Sequence, residues 1–175
     1  MHHATNGGSL VEQKIRHALA GVLVAGILPI LTVGAVAGQA AAQATRTDTQ
    51  GIVTVKAVYV TPAYFKTTPT DALAGKVDLN RNVVFAITLD THAGDLSKYD
   101  FVKNVTLRNN GGPRVAPLRW VSTAEGPHHR AGGLVFPKTD QTGRPIDAQA
   151  KVLELIVRGL GGVAQRTLRW TLPIP

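Results

Sequence analysis

Beyond Gly51, apolar and polar side chains alternate with a period of two, the spacing of a strand with one buried and one wet face. Val53, Val55, Ala57 and Tyr59 fall on one side, with Thr54 and Lys56 opposite. A second strand sets Val83, Phe85, Ile87 and Leu89 against Val84, Ala86, Thr88 and Asp90. A third turns Val105 and Leu107 inward, with Thr106 and Arg108 outward. The fourth, 115–122, puts Leu118 and Trp120 on one side. Pro117 has no N–H to give a ladder, so this strand belongs at a sheet edge. A brief fifth, Gly133–Phe136, stops at Pro137. The sixth offers Leu153, Leu155 and Val157 to the core while Glu154 and Arg158 face out. The seventh turns Leu168, Trp170 and Leu172 in, and Thr167, Arg169 and Thr171 out.

Turn chemistry separates these runs, as at Asn109–Pro113 and Gly159–Gly162. Seven short strands with one apolar face each predict two packed antiparallel sheets, an all-β immunoglobulin-like sandwich, with a small barrel as the alternative. Two segments read less regularly. Thr61–Lys66 carries two aromatics after a proline and fits a helical turn or an irregular strand, and Leu96–Tyr99 fits one turn of helix.

The first 44 residues follow a different pattern. Lys14, Arg16 and His17 precede an apolar run from Ala18 to Leu31, and no charged residue occurs from Ala18 to Ala44. The run fades into small residues and ends Ala42-Gln43-Ala44 before the polar Thr45-Arg46-Thr47-Asp48. Positive, apolar, then A-x-A is the order of a secretory leader. It predicts a leader over 1–44 and a single domain over 45–175, with cleavage after Ala44 or, as second choice, after Ala42. An uncleaved hydrophobic anchor helix is the competing reading. Both predict an exported protein, periplasmic or extracellular, that touches membrane only through its N-terminal segment.

Composition narrows the chemistry. The chain has no cysteine, which excludes a disulfide framework, a thiolate nucleophile and Cys-type metal sites. Beyond Ala44, 17 Lys/Arg stand against 10 Asp/Glu. Export argues against nucleic acid as the partner and leaves an anionic envelope component or an envelope protein. The same segment has two serines, Ser97 and Ser122, neither in a nucleophile elbow, and two glutamates, Glu125 and Glu154. A non-enzymatic role is expected. Asn104-Val105-Thr106 matches a glycosylation sequon but falls within a strand.

Strand order then sorts the loops. Consecutive antiparallel strands reverse direction, so loops 91–102, 123–132 and 159–166 share one pole. That pole collects Asp90, His92 and Asp95 from one loop and Glu125, His128, His129 and Arg130 from another. The opposite pole receives Asp71, Asp78, Asp140, Arg144 and Asp147, and no histidine. Imidazole with carboxylate suits Zn²⁺ or Cu²⁺, making His92, His128, His129, Asp90, Asp95 and Glu125 candidate ligands. A structural reading competes: Asp95 caps a short helical stretch, and the histidines of Gly126–Arg130 bond neighbouring backbone.

The segments Leu89-Asp90-Thr91-His92, Asp95-Leu96 and Pro127-His128-His129-Arg130-Ala131-Gly132, leading to Phe136-Pro137, are similar to those of an exported bacterial immunoglobulin-like domain group of unknown function. The resemblance covers most of the chain beyond Ala44. It implies an exported sandwich with a paired-histidine loop and supplies no activity. In broad architecture the chain also resembles periplasmic copper-binding sandwiches, but it lacks the histidine that family carries at the start of the exported chain. Two functions follow as expectations: an exported sandwich that binds a protein or envelope partner, or a periplasmic Cu/Zn-binding protein using the histidine pole.

Overall fold

The structure, a computed structural model, describes residues 33–67 and 72–174, all within one compact unit, Thr32–Pro175. The elements run α1 (Val33–Ala44), β1 (Thr45–Asp48), β2 (Val53–Tyr59), α2 (Pro62–Thr67), β3 (Asn82–Thr91), α3 (Phe101–Asn104), β4 (Val105–Asn109), β5 (Arg114–Val115), β6 (Arg119–Ala124), β7 (His129–Pro137), β8 (Val152–Leu160) and β9 (Val163–Thr171). The strands form two antiparallel sheets in the orders β1-β2-β3-β7-β6 and β5-β4-β8-β9. Among the described residues no helix is long and apolar enough to cross a membrane. The apolar run 18–31 lies outside the described residues, as does Asp71.

The core is the one the alternation predicts. Val53, Val55, Ala57 and Tyr59 from β2, with Val83, Phe85, Ile87 and Leu89 from β3, meet Leu107, Leu153, Leu155, Leu168 and Trp170 from the other sheet. Phe85 sits at its centre, with ring centroids 4.9 Å from Trp170, 5.5 Å from Tyr59 and 5.9 Å from Phe136. Trp170 satisfies its one polar atom by donating its indole N–H to the Ala44 carbonyl at 2.7 Å.

Nine strands are present among the described residues where the pattern predicts seven. Six coincide with predicted runs. The fourth divides at Pro117 into β5 and β6, which lie at the edges of different sheets. Proline interrupts the ladder, and the chain uses that break to cross from one sheet to the other. Leu118, expected inside, stands at the crossing and is 59% exposed. The added strand, β1, pairs with β2 from Thr45↔Val58 to Asp48↔Val55. Its Arg46 reaches across to donate to the Arg169 carbonyl on β9 at 2.6 Å, tying the edges of the two sheets together.

The outer face of the five-stranded sheet is also buried. Val84 and Val135 are fully enclosed, and Val60, Leu73 and Val121 join them in a second apolar cluster. Tyr64 and Phe65 of α2, with Val77 and Leu79, lie over it. The aromatic pair after Pro62 therefore does form a helical turn, and its purpose is to roof the sheet. The expected turn at 96–99 is a single hydrogen-bonded turn, Tyr99 N–H to Leu96 O at 3.1 Å. The helix lies just after it: α3 is capped by Asp100, whose side chain accepts from the Val102 and Lys103 amides.

Phe85→Ala and Trp170→Ala should each lower unfolding stability by about 3–5 kcal/mol in urea denaturation, because each leaves a large void in a closed core. A loss below about 1 kcal/mol for either would place that ring outside the load of the core.

Candidate functional site

The histidine pole is built by the pairing of β3 with β7. Their register sets Asp90 opposite His129. The ladder then continues past the strands: the Thr91 amide donates to the His128 carbonyl at 2.9 Å, and the Leu96 amide to the Pro127 carbonyl at 2.8 Å. Loop 91–100 and loop 125–128 are thus stitched along their backbones. The turn 159–161 comes to the same end, where it shares a shallow cleft of about 240 Å³ with Ile52, 93–96 and Tyr99. The β1–β2 turn, 49–52, joins them through the bond from Thr91 Oγ1 to the Ile52 carbonyl at 2.7 Å. Close approach is permitted by Gly161, whose φ is 59° and where an added Cβ would lie 2.5 Å from Val53 Cγ2.

Two buried arginines hold this end in place. Arg166, on β9, has no exposed side-chain surface. Its Nη1 donates to Asp48 Oδ1 at 2.6 Å and to the Val53 carbonyl at 2.9 Å. Its Nη2 donates to the Gln50 carbonyl at 2.6 Å and to the Leu160 carbonyl at 3.2 Å. Arg130, on β7, bonds Glu125 Oε2 through Nε at 2.6 Å. Its Nη1 reaches the Leu96 and Tyr99 carbonyls at 2.9 and 2.7 Å. The guanidinium lies 4.8 Å over the Phe101 ring, which stacks on Trp120 at 3.9 Å. Trp120 in turn donates its indole N–H to Glu125 Oε1 at 3.1 Å. Its partial burial is therefore that of a supporting residue beneath the loops.

The six candidate ligands do share this pole, but their side chains have separate partners. Asp90 Oδ1 lies 2.5 Å from His129 Nδ1, with both side chains about half exposed. Asp95 accepts from the Ser97 amide and hydroxyl at 2.8 and 2.5 Å, closing a turn in place of the helix cap expected of it. Those two bonds, the hydroxyl first, hold the Asp95 carboxyl below its ordinary range. Glu125 is committed to Arg130 and Trp120. Its bond from Arg130 is the first cause holding its carboxyl down at about 2, against an ordinary 4.5. His92 and His128 project into solvent on adjoining backbone. Among the described residues, no three His, Asp or Glu side chains gather around a point where a metal ion could sit. In loop 125–128 it is the Pro127 and His128 carbonyls that bond neighbouring backbone. His129 and Arg130, expected in the loop, already belong to β7, and His129 uses its ring on Asp90. Ser97 donates to Asp95, and the Ser122 hydroxyl faces the Ala124 carbonyl.

The opposite pole contains a set that the sequence did not single out. Asp147 Oδ2 accepts from Tyr59 Oη at 2.9 Å and from Lys138 Nζ at 2.7 Å, while its Oδ1 is buried with no partner among the described residues. Burial first, and the Asp147 carboxylate second, push the Tyr59 phenol well above its ordinary range. The three residues line an open cleft of about 690 Å³ with Leu172, Pro173 and Ile174. Loop order could place Asp147 at this end. Nothing in the spacing joins it to Tyr59, 88 residues away.

Two outcomes follow from this geometry. Arg166→Met should cost about 3–5 kcal/mol in chemical denaturation, since it strands the Asp48 carboxylate and three carbonyls. A neutral result would show that those groups find water instead. Glu125 gives a pH signature: its carboxyl titrates lower folded than unfolded, so its contribution is complete above about pH 4.5 and fades as pH falls toward 2. Thermal melts of the wild type should therefore fall faster than those of Glu125→Gln across that window. Parallel curves would refute the Arg130 assignment.

In comparisons with known proteins, no family model matches the chain, no curated protein matches it, and no solved structure matches it.

Proposed function

We propose that the chain is an exported, non-enzymatic immunoglobulin-like sandwich whose histidine-bearing pole binds a protein or anionic component of the cell envelope. The observation that carries this reading is the exposure of Ile52, a large apolar side chain 54% accessible, on loops held rigid from below. An exposed isoleucine on a mobile loop tip would mean little. Here the Ile52 carbonyl is bonded by Thr91, and its neighbours Gln50 and Val53 are bonded by Arg166. A surface whose backbone is fixed in advance gives up less conformational entropy on binding. Loops on a rigid sandwich are the usual place for recognition. The same pole exposes His92, His128 and His129, with Lys98 and Arg158. Of the carboxylates there, Glu125 is paired with the buried cation Arg130, while Asp90 and Asp95 are bonded to His129 and Ser97 and stay at the surface. The excess of 17 Lys/Arg over 10 Asp/Glu beyond Ala44, together with the exposed Ile52, favours an anionic partner with an apolar contact.

One observation favours the metal reading as the second choice. A carboxylate on one ring nitrogen of a histidine fixes the other nitrogen outward, the arrangement that supports metal ligation in many zinc sites. The Asp90–His129 pair has that form. On this reading Asp90 orients His129 rather than ligating, and His128 or His92 supplies a second nitrogen to Zn²⁺ or Cu²⁺.

A photo-crosslinking residue placed at Ile52 in the exported protein should yield an envelope adduct, and one at exposed Gln141 on the opposite pole should not. Combining the probe with His128→Ala and His129→Ala should reduce the adduct several-fold. Equal adducts at both positions, or none at 52, would overturn the assignment of the binding face. Calorimetric titration of Zn²⁺ and Cu²⁺ into the purified domain separates the second reading. Stoichiometric heat at micromolar metal, lost in His129→Ala, would favour it, and absence of heat would remove it.

A further inference from the structure

The fold limits how much of the leader the domain can lose. Positions 38–43 of α1 are exposed or half-exposed, whereas Ala44, at its end, is completely buried. The Ala44 carbonyl is the acceptor for the Trp170 indole N–H, and Trp170 has no accessible surface. One residue earlier, the Gln43 carbonyl accepts from Arg46 Nη1 at 2.8 Å, and the same Arg46 ties β1 to the Arg169 carbonyl. The folding unit therefore begins no later than Gln43, upstream of the boundary that the leader's composition suggests.

We propose that processing of the exported chain retains Ala44 and cuts the Ala42–Gln43 bond; this rests on the export reading above. Ala40 and Ala42 supply the small side chains that a signal peptidase requires three residues and one residue before its cut. The reaction is a hydrolysis. The C–N bond breaks, the oxygen of water joins the Ala42 carbonyl carbon as the new carboxylate, and Gln43 nitrogen becomes the new N-terminal amine. A cut after Ala44 would do more than remove a residue. It would replace the carbonyl that accepts from Trp170 with the ammonium of Thr45, a donor facing a donor in a buried place.

The test is the intact mass of the full-length chain after export from bacterial cells. The expected N-terminus is Gln43, or its cyclised form lighter by one ammonia. Ala40→Asp should abolish processing, because position 40 lies three residues before this bond but five before Ala44–Thr45. A Thr45 start that survives Ala40→Asp overturns the proposal and leaves export standing. An uncut chain held in the membrane does the same. An uncut chain that stays in the cytoplasm overturns the export reading together with it. As a second readout, chains released behind an unrelated leader and starting at Gln43 or Thr45 can be compared by thermal melting. The Thr45 form should melt about 5–10 °C lower, and equal melting temperatures would overturn the role given to Ala44.

Discussion

The architecture depends on one buried guanidinium. Arg166 enters from β9, the edge of the four-stranded sheet, and spends its donors on Asp48, Gln50 and Val53 of the opposite sheet and on Leu160 of its own. Only arginine can do this: its planar fork sends hydrogen bonds in several fixed directions, where a lysine ammonium would satisfy at most three from one point. Burying the charge costs several kcal/mol, and its Nε has no partner among the described residues, so the arrangement does not read as one selected for stability alone. What it supplies is position. In a chain without cysteine, it links the two sheets at the point where their turns meet, a task many small secreted domains give to a disulfide.

Arg130 repeats the device on β7. It fastens loop 96–99 by its carbonyls and neutralises itself with Glu125, while Phe101 and Trp120 sandwich the arrangement from below. The two arginines together leave little freedom to the turn 49–52, loop 91–100 or the turn 159–161. The histidine pole is consequently a set of loops with the rigidity of the sheets that carry them. Glu125 takes part in that support, so a metal ion bound to it would compete with its bonds from Arg130 and Trp120.

How much of this the residue pattern could reveal is itself a physical question. Alternation locates most of the core side chains of β2, β3, β4, β8 and β9, because a period of two directly encodes one buried face. The same rule misses Leu160 and Arg166, reads the buried Glu154 as outward, and counts as inward Leu172, which lies just past β9 and is only half-buried. It misplaces Leu118, since a chain crossing between sheets obeys neither face's alternation. It reads Val84 as outward, since nothing local shows that residues 60–79 fold back over the outer face; that contact joins Leu73 to Val135 across more than sixty positions. Antiparallel order correctly brings His92 and His128 to one end, because direction reversal requires only a strand count. The partners of each side chain at that end were not legible. Arg130 and Arg166 look like any surface cation in a basic sequence, and only the fold shows that they lie inside.

The two poles, though both formed by loops, end up with different chemistry. Carboxylates at both poles find donors within the protein, some of them buried and some of them open to water. At the cleft pole those donors are Tyr59 and Lys138, which neutralise Asp147 within the protein and leave an uncharged, partly apolar hollow. At the histidine pole Glu125 answers the buried Arg130, Asp95 answers its own turn, and Asp90 answers His129. Meanwhile Lys98, Arg158 and His128 face solvent. Of these three acids only Glu125 meets a buried cation, so Asp90 and Asp95 remain at the surface, as do Lys98 and Arg158. The proposed partner would meet the exposed Ile52 on loops whose backbone is already bonded from beneath. On that proposal, selectivity would come from complementarity to a surface set in advance, because the guanidinium links that hold the loops also restrict how far they can adapt.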